Sequence, residues 1–221
     1  DTTMHLCSYQ LRFQTPAFLG NAQQQGQWRT PPLKALLRQW WRVAVAQQAR
    51  YNTETLRQQE NALFGTAADG EGDSRQSLVR IRLGHWNMGQ LKDWTSIGTQ
   101  KHPEVPAPVG SDLYLGFGPL EYDRASRSTS IKHKAAIQAG DTATLSLALP
   151  DGHAATFQTA LWLMDRYGTL GGRSRNGWGS LSLQPVDDGT AALDGQLSDQ
   201  LALPWQDALQ RDWPHAIGTD A

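Results

Sequence analysis

Lys34, Arg38 and Arg42 stand four residues apart. On a helix that spacing puts three cations on one stripe, over roughly 12 Å at a rise of about 1.5 Å per residue. No acidic residue between Leu33 and Tyr51 offsets them. Like charges so placed repel each other, and an anion lying along the stripe would relieve the repulsion. Arg29, just upstream, can join the set. A second group lies in the stretch from Tyr167 to Leu181, which holds five glycines, Arg173, Arg175, Asn176 and Trp178. Glycine lets another backbone approach closely, and the arginine fork suits phosphate. Gly171, Gly172, Arg173, Arg175, Asn176, Gly177 and Trp178 therefore read as a cradle for a phosphate backbone. Each group also has a plainer reading: a solvated charged helix face for the first, a glycine hairpin with two solvated arginines for the second.

The 221 residues suit one large domain or two small ones. The net charge of −1 conceals an asymmetry: seven aspartates lie from Asp187 onward, so residues 1–186 carry 19 Lys and Arg against 14 acids. This modestly basic body, richer in arginine than in lysine, permits a nucleic-acid partner without requiring one. Nine tryptophans leave some free to act as stacking platforms. Cys7 is the sole cysteine and has no internal disulfide partner. No Cys/His cluster or acid–His set has ligand spacing, so neither a metal nor any other cofactor is expected. No apolar run reaches bilayer length and no secretory leader is visible, which points to a soluble, cytoplasmic protein with no membrane partner.

Residues 5–13 alternate as a half-buried strand. Pro31 and Pro32, with Thr30 as cap, open a helix running to about Arg50, its apolar face formed by Leu33, Leu36, Leu37, Trp40 and Trp41. A second helix is expected over Thr53–Leu63. Residues 78–83 alternate, with Arg80 and Arg82 on the open side. Residues 84–110 read as a connection. A short strand is expected over Leu113–Phe117, followed by a basic cluster of Arg124, Arg127, Lys132, His133 and Lys134. A strand over 142–149, a helix over 155–167 and a strand through Leu183 complete the order. The fold class expected is α+β: two ferredoxin-like (RRM-like) folds in tandem, each an antiparallel sheet with helices on one face. The halves would be residues 1–100 and 111–186, with 187–221 an acidic tail containing a short helix around Trp205–Trp213.

Three motifs together resemble the RAMP superfamily of CRISPR-associated proteins. They are Arg29-Thr30-Pro31-Pro32-Leu33-Lys34-Ala35-Leu36-Leu37-Arg38-Gln39-Trp40-Trp41-Arg42, then Leu63-Phe64-Gly65, then Gly171-Gly172-Arg173-Ser174-Arg175-Asn176-Gly177-Trp178-Gly179. Their order is most similar to the first RAMP subunit of type III-B effector complexes, whereas the chain length is nearer that of crRNA-processing enzymes, including those of type IV systems. The resemblance implies crRNA or repeat RNA as partner, with other effector subunits alongside. It implies either a metal-independent endoribonuclease that cuts precursor crRNA or a non-catalytic crRNA-binding subunit. Outside the family, a small-molecule-binding α+β domain fits the same pattern. For cleavage, Arg29, Arg38 and Arg42 would clamp the phosphate and stabilise added charge, with His133, or His5 on the first strand, as the candidate acid or base. The best-known processing enzymes carry a histidine near the first helix; this helix has none. Lys34, Arg80, Arg82, Arg124, Arg127, Lys132 and Lys134 would join the glycine loop in holding RNA.

Overall fold

The computed structural model describes residues 3–67, 74–132 and 135–191. Strand β1 (Met4–Phe13) follows the alternation: Cys7, Tyr9, Leu11 and Phe13 are buried, while Gln10 and Arg12 are exposed. Helix α1 (Thr30–Val45) begins with prolines in its first turn, where their missing N–H groups cost nothing. Arg29, not Thr30, is the residue at its N-cap, with no side-chain cap bond. Helix α2 (Thr53–Phe64) starts from the Asn52 side chain, which accepts from the Thr55 N–H at 2.9 Å, and stops at Gly65 in a positive-φ conformation. Strand β2 (Arg80–Leu83) follows.

An insertion occupies residues 84–141. It contains the short pair β3 (Thr99–Gln100) and β4 (Val109–Gly110), helix α3 (Ser111–Gly116), and the hairpin β5 (Leu120–Asp123) and β6 (Ser128–Ile131). The expected strand over Leu113–Phe117 is thus mostly the six-residue helix α3. The remaining elements are β7 (Thr142–Pro150), α4 (Ala154–Tyr167) and β8 (Leu181–Pro185).

The main sheet has four antiparallel strands in the order β2-β7-β1-β8. Setting the insertion aside, the chain order is strand-helix-helix-strand-strand-helix-strand, with α2 added to the ferredoxin-like set, β7 between β1 and β2, and β1 between β7 and β8. That is the ferredoxin-like arrangement, and the expected α+β class with antiparallel strands stands. The strands assigned to two halves meet in one sheet: residues 1–100 supply β1 and β2, and residues 111–186 supply β7 and β8. The physical reason is the long central pairing, which runs from Met4 opposite Pro150 to Arg12 opposite Thr142. A two-stranded sheet alone is marginal in water, and sharing gives β1 and β7 partners on both edges.

Helices α1 and α4 pack side by side on one face of this sheet. Leu33, Leu37 and Trp41 from α1 meet Phe157, Leu161 and Met164 from α4 over Leu11, Phe13, Leu145 and Leu149. Cys7 lies in this core, and burial, followed by the nearby Asp187, pushes its thiol from the ordinary 9.0 up to about 12. It is no nucleophile at neutral pH. The opposite face is open and polar, with Arg12, Arg80, Arg82, Gln10 and Thr144 exposed on it. Past β8, Asp187 accepts from the Thr190 N–H and hydroxyl at 2.7 and 2.9 Å. The helix expected in the acidic tail lies outside the described residues.

Candidate nucleic-acid interface

Helix α4 ends at Tyr167, and the chain turns through Gly168, whose N–H donates to Met164 O at 2.8 Å. The glycine loop then folds on itself and on the segment after β1. Leu170 N–H donates to Gly179 O at 2.9 Å, Gly172 N–H to Phe18 O at 3.0 Å, and Gly179 N–H to Pro16 O at 2.8 Å. The Thr15 hydroxyl donates to Gly177 O at 2.6 Å and accepts from the Ser180 N–H at 2.9 Å. A single 3-10 turn, Ser174–Asn176, sits at the tip between Arg173 at φ 55° and Gly177 at φ 87°.

Two glycines of the loop are needed for different reasons. Gly177 has a positive φ, but open space where a Cβ would go. Gly179 has φ 67°, and a Cβ there would overlap the Leu170 carbonyl oxygen. Gly177→Ala is therefore expected to cost about 1 kcal/mol, the left-handed penalty alone. Gly179→Ala is expected to cost about 3 kcal/mol, because steric overlap with backbone is added. Urea denaturation of the two variants measures the difference.

The loop and α1 form the two walls of an open groove. One part, about 640 Å³, lies between Leu36, Arg38 and Arg42 of α1 and Thr169, Gly171 and Ser174 of the loop. A second part, about 410 Å³, shares Gln39, Arg42, Thr169 and Ser174 and continues to Trp40, Tyr167 and Arg175. The early helix and the late loop thus bring Arg38, Arg42, Gly171 and Arg175 to one concavity.

The stripe on α1 is not uncompensated. Helix α2 brings Glu60, only 4% exposed, against it. Arg42 Nε donates to Glu60 Oε2 at 2.5 Å and Arg42 Nη2 to Oε1 at 2.6 Å; Arg38 Nε donates to Oε1. Arg38 also lies over the Phe64 ring at 5.9 Å. With side chains 37% and 48% exposed, Arg38 and Arg42 still front the groove. Even with Glu60 in place the cations act on one another. Burial, then Arg42, lowers the Arg38 guanidinium from its ordinary value, and burial, then Arg38, lowers Lys34.

The other expected site residues are dispersed. Arg29 holds the N-cap of α1, its Nε buried without a hydrogen-bond partner. Lys34 is half-buried one turn before Arg38. Arg80 and Arg82 are on the open face of the sheet, away from the helices. Arg124 and Arg127 are exposed at the tip of the β5–β6 hairpin, and Lys132 at its foot. His133 and Lys134 lie outside the described residues. Gly172 packs against Phe18 and Pro119.

Three loop residues expected at RNA are occupied within the protein. Arg173 Nε donates to Phe117 O at 2.6 Å and Asn176 Nδ2 to Leu115 O at 2.7 Å, tying the loop to the end of α3. Trp178 is buried, packed at 5.5 Å on both Phe18 and Trp94, so it offers no free ring face. The sequence reading missed Trp40 as a groove residue, having placed it on the apolar face. It also missed Tyr167, whose position just before the glycine loop was the available signal. Among the described residues no group of three or more His, Cys, Asp or Glu can hold a metal ion, and no helix is long and apolar enough to cross a membrane.

No curated protein matches this chain. Among solved structures, the chain is similar to a type III-B Cmr-β complex bound to cognate target RNA and AMPPnP, in the presence of single-stranded DNA. It is 14% identical with a TM-score of 0.50, over 94% of this chain and 61% of that one. It is also similar to Cmr1 from Pyrococcus furiosus in its apo form, 16% identical with a TM-score of 0.47, over 91% of this chain and 54% of that one. A chain of a type IV-B CRISPR complex is 16% identical with a TM-score of 0.45, over 83% of this chain and 91% of that one. The chain therefore spans little more than half of the Cmr1 chain. The RAMP superfamily model matches residues 10–182, from within β1 into β8, and this protein belongs to that superfamily.

Proposed function

We propose that this protein is a CRISPR RNA-binding subunit that holds an RNA strand in the groove between α1 and the glycine loop, beside other subunits of an effector complex. One observation carries the reading: Arg38 and Arg42 on one wall and Arg175 on the other face the same concavity, in a chain of the RAMP superfamily. Cations on two walls can contact successive phosphates of one strand, and binding of that kind is strongly salt-dependent.

Processing of precursor crRNA is the second reading. The same guanidinium groups would position a phosphate and stabilise the charge added in the transition state. A cut also needs a proton donor for the leaving oxygen. Among the described residues the groove is lined by no histidine, and Arg38 and Arg42 are already held by Glu60. Binding is therefore the better-supported role.

Incubation with repeat RNA in EDTA separates the readings. The expected result is salt-dependent retention of intact RNA. A single defined cut leaving a cyclic phosphate end would instead establish processing. Absence of any salt-dependent retention would overturn both and leave a small-molecule site.

A further inference from the structure

The outer end of the groove carries an aromatic pair that the charge pattern does not explain. Tyr167, the last residue of α4, is 62% exposed. Trp40 from α1 stands behind it with ring centroids 6.1 Å apart and planes tilted by 34°. Trp40 is itself half-buried and packs on the hydrophobic core, so the Tyr167 ring has a firm backing. Arg42 and Arg175 line the same part of the groove. Among the described residues Trp86, Tyr114, Phe117 and Tyr122 are exposed as well, but none of them lines the groove.

Resting on the RNA-binding reading above, we propose that Tyr167, backed by Trp40, is a stacking platform for one unpaired base of the bound strand. A nucleobase can lie on the open side of the Tyr167 ring while its flanking phosphates meet Arg42 and Arg175. Stacking on an aromatic side chain tolerates any base, because every base has a π-face. It does require the base to be out of a duplex, where both faces are already covered by neighbours. The RNA at this end of the groove is therefore single-stranded, and base recognition there is by stacking rather than by base-edge hydrogen bonds.

The test is a short single-stranded RNA in which an abasic site is moved one position at a time, measured against wild type, Tyr167→Ala, Tyr167→Phe and Arg175→Ala. Tyr167→Ala is expected to weaken binding about tenfold with the salt slope unchanged. Tyr167→Phe keeps the ring and is expected to bind like wild type, which separates stacking from any role of the hydroxyl. One abasic position is expected to cost wild type about tenfold and to cost Tyr167→Ala nothing further. Arg175→Ala is expected to flatten the salt slope while leaving the abasic penalty in place. Tyr167→Ala binding as tightly as wild type, or an abasic penalty that persists in it, overturns the platform while RNA binding stands. Wild type that retains no RNA overturns the underlying reading itself.

Discussion

Arg42→Ala combined with Arg175→Ala is expected to weaken binding of repeat RNA by about a hundredfold or more. Each guanidinium contributes a charge-assisted hydrogen bond to phosphate, of about 1.5–3 kcal/mol. The two residues come from opposite walls of one groove, so a strand lying in it loses contacts on both sides. The salt slope is expected to fall by between about 1 and 2, because two phosphate contacts no longer release counterions. The control removes the same charge from the other side of the molecule. Arg80→Ala with Arg82→Ala strips two exposed cations from the open sheet face, which lies across the sheet from the helices. At physiological salt their influence on the groove is screened over roughly 8 Å, and a loss of no more than about threefold is expected. Filter binding across a salt series reads both variants. An equal loss from the sheet-face pair would move the RNA to that face and take the groove with it.

What the sequence made legible and what it did not divide along local and long-range lines. The alternation of β1 and β7 and the Pro31-Pro32 start of α1 are local patterns, and the structure keeps them within a few residues. Helix α3 was misread because Leu113, Leu115 and Phe117 alternate by chance in a segment too short for helical periodicity to register. The joining of both halves into one sheet depends on β1 pairing with a strand more than a hundred residues away, which no local pattern encodes. The site divides in the same way. Lys34, Arg38 and Arg42 were visible as a stripe, but Glu60 reaches them only because α2 folds back across α1. Arg173 and Asn176 suited phosphate by residue type. Their partners, the carbonyls of Phe117 and Leu115, lie roughly sixty residues earlier. Residue type thus located the two walls of the groove, and tertiary contacts decided which side chains remained free to face it.

The buried Glu60 carboxylate leads to the largest expected effect on stability. Glu60 is 4% exposed with both arginines in place, and replacing Arg38 and Arg42 with alanine strips it of both partners. A buried charge stripped of its partners costs about 3–5 kcal/mol, because its desolvation is no longer offset. The double variant is expected to lose about that much in urea denaturation, and adding Glu60→Gln, which removes the charge, is expected to return half or more of it. Glu60→Gln alone is expected to cost no more than about 1 kcal/mol. Its two partners are 37% and 48% exposed, so they can turn to water, where a lone guanidinium is tolerated. The asymmetry is the informative quantity, since it follows from the acid being buried and the bases not. It also bears on function. The carboxylate holds Arg38 through Nε and Arg42 through Nε and Nη2, so the ion pairs fix the position of the groove's charge as well as supporting the helix pair. If the double variant and Glu60→Gln lost equal stability, Glu60 would be a solvated surface acid. Its ion pairs would then do nothing to orient the arginines toward the groove.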